Sequence, residues 1–165
     1  MEDPLALKRI STVAIPEALA KAERYRLLNE PNQAESICLD ILEIDPDHQQ
    51  ALVTLILAMT DQFGTERGRG ASDARAYVAR LADEYQRAYY GGLVWERQAC
   101  AYLKRGKART SAYPAFRDAM ALYEEAETLR PAGDDSVILR WNACVRTLAR
   151  EGLGPRPVEV EQPLE

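Results

Sequence analysis

The sequence predicts an all-α protein, and three observations carry that expectation. Apolar residues recur every three or four positions through most of the chain, with no strand-like alternation. Alanine, the best helix former, is abundant, whereas phenylalanine occurs only 2 times in 165 residues. Prolines and glycines fall between the periodic stretches, as at Asp45-Pro46 and Arg130-Pro131, where they punctuate helices. A chain of this length buries a substantial core without staples. Its 47% hydrophobic and 28% charged residues fit a globular domain rather than a disordered chain.

Taken in order, the first helix starts at Pro16, a residue suited to a first helical turn, and runs to Leu28, where Asn29-Glu30-Pro31-Asn32 breaks it. The second carries Ala34, Ile37, Cys38, Ile41, Leu42 and Ile44 on one face and stops at Asp45-Pro46. The third, Gln50 to Phe63, is apolar nearly all round, so it is either central in a stack or presents a second sticky face. Gly64 to Gly70 reads as a flexible connector. The fourth helix is expected over Ser72 to Ala88, with Ala74, Val78, Leu81 and Tyr85 as its stripe. Gly91-Gly92 is expected to separate it from a fifth over Leu93 to Lys104, which Gly106 ends. After a loop from Lys107 to Pro114, the sixth runs from Ala115 to Leu129. Asp134 and Asp135 cap a seventh, Ser136 to Arg150, which Gly152 and Gly154 stop. The remaining tail, with Pro155, Pro157, Pro163, Glu159, Glu161 and Glu165, reads as disordered.

A formal charge of −5 argues against general nucleic-acid binding. No apolar run approaches the ~20 residues that cross a bilayer, so no membrane partner is expected. Lys8 and Arg9 follow the short apolar stretch, the reverse of a secretory signal. Cys38, Cys100 and Cys144 are odd in number and widely spaced, which fits free thiols in a reducing compartment rather than a disulfide framework. The expected location is cytoplasmic.

The helices repeat. A unit closed by Pro46 runs from Ile15 to His48, with Tyr25, Ala34 and Cys38 at fixed distances before the proline. Another, closed by Pro131, carries Trp95, Ala99, Tyr102 and Gly106 on its first helix and Ala119, Tyr123 and Ala126 on its second. The pattern Trp-x3-Ala-x2-Tyr-x3-Gly followed by Ala-x3-Tyr-x2-Ala-x4-Pro resembles the tetratricopeptide repeat, a helix–turn–helix unit of ~34 residues. The middle unit keeps Leu52, Ile56, Met59 and Ala74 but has no closing proline and a longer internal loop. The resemblance implies a right-handed α-solenoid of about three repeats, over 15–48, 49–88 and 92–132, plus a capping helix over 134–151. Residues 1–14 form an N-terminal segment, 15–151 the repeat domain, and 152–165 the acidic, proline-rich tail. The physics of the pattern is independent of the name. Small residues such as Ala34, Ala99 and Ala119 let helices approach to ~8–10 Å, and Tyr25, Trp95, Tyr102 and Tyr123 fill the gaps between them.

Catalytic chemistry finds little purchase. The only histidine, His48, reads as a solvated turn residue, since no second one completes a zinc set. The cysteines sit on helical stripes and read as packing residues. Gly64-Thr-Glu-Arg-Gly-Arg-Gly lacks the Walker spacing and a preceding strand. Glu124, Glu125 and Glu127 are a solvated helix face. No enzyme signature, cofactor or metal site is expected.

The resemblance implies instead a concave groove lined by the first helix of each pair: Leu19, Glu23, Arg26, Gln50, Val53, Leu57, Thr60, Glu96, Arg97, Cys100 and Leu103. One subfamily grips chaperone carboxylates from such a groove. Of the matching residues Leu19, Glu23, Thr54, Leu93 and Arg97, only Arg97 suits that role, so a chaperone co-factor is not expected. The groove centre at Val53 and Leu57 reads as apolar and suited to a protein or peptide segment. Burial by the chain's own Leu5–Val13 segment or by a second copy, as a homo-oligomer, competes with that reading. So does a small ligand-binding protein or enzyme built on Glu23, Arg26, Glu96 and Arg97. Finally, Arg67, Arg69, Lys104, Arg105, Lys107 and Arg109 would gather on one loop edge, as a dock for an acidic partner, phosphate groups or nucleic acid, or simply as solubilising charge.

Overall fold

The computed structural model describes residues 5–65, 68, 70–105 and 109–155 of the chain. All regular structure there is helical: a short 3-10 turn (Thr12–Ala14), then α1 (Ile15–Leu27), α2 (Pro31–Ile44), α3 (Gln49–Asp61), α4 (Ala71–Val78), α5 (Glu84–Lys104), α6 (Arg109–Leu129) and α7 (Ser136–Glu151). Among the described residues there is no strand, and no helix is long and apolar enough to cross a membrane.

Local chemistry sets the boundaries. Pro16 and Pro31 occupy first-turn positions, where a missing N–H costs nothing. His48 is more than a turn residue: its Nδ1 accepts from the Ala51 N–H at 3.1 Å and caps α3. Asp134 Oδ1 accepts from Ser136 N–H at 2.9 Å at the start of α7. Gly152, at φ 61°, closes α7 in the left-handed conformation that glycine adopts without strain.

Two boundaries differ from expectation, both in the second half. The fourth helix stops at Val78, and Asp83, accepting from Gln86 N–H at 2.8 Å, caps a new helix. That helix, α5, runs straight through Gly91 and Gly92, which therefore separate nothing. A mid-helix glycine costs roughly 0.5–1 kcal/mol, but here it admits a neighbour. A Cβ on Gly92 would lie 2.6 Å from Cε1 of Tyr123 on α6. The expected loop before Pro114 is helical from Arg109 onward, where α6 begins, and Lys107 and Ala108 lie outside the described residues. Pro114 forfeits one backbone bond near the helix start, while Ala112, Ala115 and Phe116 around it are buried.

Each helix packs on the next along the chain, and α1, α3, α5 and α7 also touch in succession. One buried cluster joins α1 to α4 and reaches Val94; a second joins α5, α6 and α7. Helix α3 touches α1, α2, α4 and α5, so its all-round apolar character is that of a central rod. Ala34, Ala99 and Ala119 are fully buried where helices approach closely. Tyr123 fills the α5–α6 gap at 1% exposure, and half-buried Trp95 lies beneath the Arg75 guanidinium, 4.5 Å from the ring centre.

Candidate functional site: a basic cleft at the ends of α1, α3 and α5

Three chain segments meet in a polar cleft of about 340 Å³ lined by Arg26, Asn29, Thr60, Asp61, Phe63, Arg97, Cys100, Ala101 and Lys104. Helix α1 ends there because Asn29 takes a left-handed φ of 60° and Glu30 N–H bonds back to the Tyr25 carbonyl at 2.9 Å. From α3 comes Thr60, its hydroxyl donating to the Leu57 carbonyl at 2.8 Å, together with Asp61 and the following Phe63. From α5 come Arg97, Cys100, Ala101 and Lys104, whose spacing of three, four and seven places them on one helical face.

The electrostatics are lopsided. Arg26 Nε donates to Asp61 Oδ2 at 2.8 Å, which ties that cation to the cleft's single carboxylate. Arg97 and Lys104 are left as a surplus of two positive charges. Arg97 Nε is buried and has no hydrogen-bond partner among the described residues, a costly condition for a charged donor. Cys100 forms part of the wall. Burial, and then the nearby Glu96 carboxylate, push its thiol upward, so it keeps its proton at neutral pH and offers no thiolate nucleophile.

Of the groove residues read from the sequence, the structure brings Arg26, Thr60, Arg97 and Cys100 together here, joined by Lys104 from the basic edge. The others go elsewhere. Leu19 and Leu57 are half-buried against the first cluster, and Val53 is part of it at 5% exposure, so of the expected apolar groove centre Val53 is core and Leu57 is half-covered. Glu23 and Gln50 bond to each other at 3.3 Å. Leu103 packs against the second cluster.

Glu96 turns inward, away from the cleft. It is 8% exposed, accepts from Tyr123 Oη at 2.5 Å and pairs with Arg140 of α7 at 3.3 Å. Burial and this carboxylate push the Tyr123 phenol strongly upward. Glu23, Arg26, Glu96 and Arg97 therefore form no common polar cluster. The Leu5–Val13 segment does not cover α3 either. Leu5 and Leu7 are 87% and 92% exposed, while Ile10 lies beside Ala14, Ala18 and Ile37 of the first hairpin.

Of the basic edge, Lys104 and Arg105 are exposed. Arg67, Arg69, Lys107 and the Arg109 side chain lie outside the described residues. Arg105 borders a smaller recess of about 180 Å³, between the α3–α4 connection and α5. Sequence reasoning missed Asn29 and Asp61. An asparagine directly after a helix and before Glu-Pro was a readable left-handed stop. Nothing marked Asp61. Among the described residues, no cluster of three or more His, Cys, Asp or Glu is placed to hold a metal ion. The chain matches no family model, and no curated protein or solved structure shows significant similarity to it.

Proposed function

We propose that this chain is a non-catalytic interaction scaffold of the tetratricopeptide-like solenoid type, with its helical hairpins stacked behind a face formed by α1, α3 and α5. That face holds a segment of a protein partner, and the cleft receives the segment's negatively charged groups. The observation that carries this reading is the convergence of Arg26, Arg97 and Lys104, from two different helices, against a single carboxylate. Charge-assisted hydrogen bonds are the strong ones, each contributing ~1.5–3 kcal/mol when desolvated. Buried Val53 and half-buried Leu57 shift the expected partner from an apolar segment to an acidic one. The three free cysteines suit a reducing, cytoplasmic setting.

An array of twelve-residue peptides of acidic, basic and apolar composition, probed with the purified protein, tests the proposal. Acidic peptides should be retained, and a double Arg97→Glu/Lys104→Glu variant should release them. Leu139→Glu, on the exposed face of α7, should change nothing. Equal retention of all three classes, or acidic retention that survives the charge reversal, would overturn it.

A further inference from the structure

The cleft's charge and its orphaned donor point to a more specific ligand. We propose that Arg97 and Lys104 form a phosphoryl-binding site, with Asn29 and the Arg26 guanidinium at its margin. Three observations converge on it. The surplus over Asp61 is two positive charges. A phosphoryl group carries about −1.5 to −2 at pH 7, whereas a carboxylate carries only −1. Arg97 Nε is shielded from solvent and unpaired, so the guanidinium charge is uncompensated within the fold, and an arginine fork matches the spaced oxygens of a phosphoryl group, leaving lysine to act as a point charge. The cleft, at about 340 Å³, has room for such a group and the chain that bears it.

The neighbouring acids are engaged elsewhere and do not neutralise Arg97. Asp61 is held by Arg26, Glu23 by Gln50, and Glu96 by Tyr123 and Arg140. The phosphoryl group could arrive as free phosphate or on a phosphorylated side chain. In the second form the inference rests on the partner-binding reading above; in the first it stands without it.

The test is an NMR titration of the arginine Nε–H and backbone amide signals. The probes are inorganic phosphate, a serine-phosphorylated peptide, and the same peptide with glutamate in place of phosphoserine. Phosphate should shift the Arg97 Nε–H and the amides around Lys104. The phosphopeptide should bind at least about tenfold more tightly than its glutamate counterpart. Lys104→Gln, at an exposed position that keeps the fold intact, should weaken both phosphate-bearing ligands about tenfold or more. Arg97→Gln should do the same, with its melting curve checked alongside. Asp61→Asn should strengthen both, because it removes the like charge and releases Arg26.

No shift with phosphate or phosphopeptide, or glutamate peptide binding as tightly as phosphopeptide, would overturn the proposal. The two readings can fail separately. Free phosphate binding with no gain from any peptide would sustain the phosphoryl site and sink the scaffold reading. Acidic peptide binding indifferent to phosphorylation would do the reverse.

Discussion

Gly92 is the position where the packing of the second half of the molecule can be tested most sharply, with Gly91 beside it as an internal control. Both are buried in the middle of α5. Alanine at either site gains up to about 1 kcal/mol of helix propensity. At Gly91 the new Cβ meets Leu122 Cδ1 at 3.3 Å and Val78 Cγ1 at 3.8 Å. The leucine methyl is the far end of a side chain and can turn aside, so Gly91→Ala should be neutral to about 1 kcal/mol stabilising. At Gly92 the same atom lies 2.6 and 2.7 Å from the Tyr123 ring and 3.2 Å from the Ala119 carbonyl oxygen. The ring is 1% exposed and its hydroxyl is bonded to Glu96, so it has nowhere to go without moving α6. Overpacking of that kind costs about 3 kcal/mol at the upper end, leaving a net loss of about 2 kcal/mol after the propensity gain. In a domain of this size that lowers the melting temperature by about 4–8 °C. If the ring is displaced far enough to lose Glu96, the fall is larger. Circular dichroism melts of the two variants and the parent decide it. Variants that melt together would refute the close α5–α6 approach on which the cleft's α5 wall depends.

Three further outcomes follow from other sites. Replacing His48 by alanine removes the α3 cap and should cost about 1 kcal/mol in a urea titration, whereas asparagine should restore most of it; equal losses would mean the cap contributes nothing. Cys38 and Cys144, both pushed up to about 12 chiefly by burial, should resist a thiol reagent at pH 8 until the protein unfolds. Half-buried Cys100 should react first, and equal native rates for all three would contradict the packing. On the alkaline side, burial and the Asp134 carboxylate push Tyr85 up to about 12, and burial raises Tyr89, Tyr90 and Tyr123. These folded-state values lie above the ~10 of an exposed tyrosine. The stability they contribute is complete below pH ~10 and is lost as pH rises towards 12. Tyrosinate absorbance should therefore rise together with loss of helical signal across that window. Ionisation of all 8 tyrosines near pH 10 with the helices intact would be the opposing result.

The first three helices were legible almost to the residue, because Pro16, Pro31 and Asp45-Pro46 act through local backbone chemistry that needs no tertiary context. The α4–α5 boundary was misread because Gly91-Gly92 looked like punctuation, when Gly92 answers to Tyr123 and Gly91 to Leu122, each about thirty residues away. The true signal was present in Asp83-Glu-Tyr-Gln86, an acidic cap followed three positions later by glutamine. For the cleft, Arg26, Thr60, Arg97 and Cys100 were legible because the repeat resemblance assigns these positions on the first helix of each pair to an inner face. Asn29 lies beyond the end of its helix and Asp61 is the last residue of its own, where register says little. Val53 was misplaced for a different reason. An apolar face on α3 is equally consistent with a groove and with a packed interface, and the 5% exposure of Val53 distinguishes them.

The adjacency of Glu96 and Arg97 joins stability and recognition in one turn of α5. Successive helical residues point about 100° apart, so the carboxylate enters the core between α6 and α7 while the guanidinium lines the cleft. Were Glu96 free, it would add a second carboxylate near Arg97. Its bonds to Tyr123 and Arg140 both dock α7 and keep the cleft positive. The packing of the last three helices thus holds one carboxylate out of the cleft. Glu96→Gln separates the two roles, because the amide retains the shape while the charge disappears. Destabilisation of α7 without any change in anion binding would show that the cleft's potential is set locally by Arg97 and Lys104. A parallel rise in anion affinity would show that the buried carboxylate attenuates it from within.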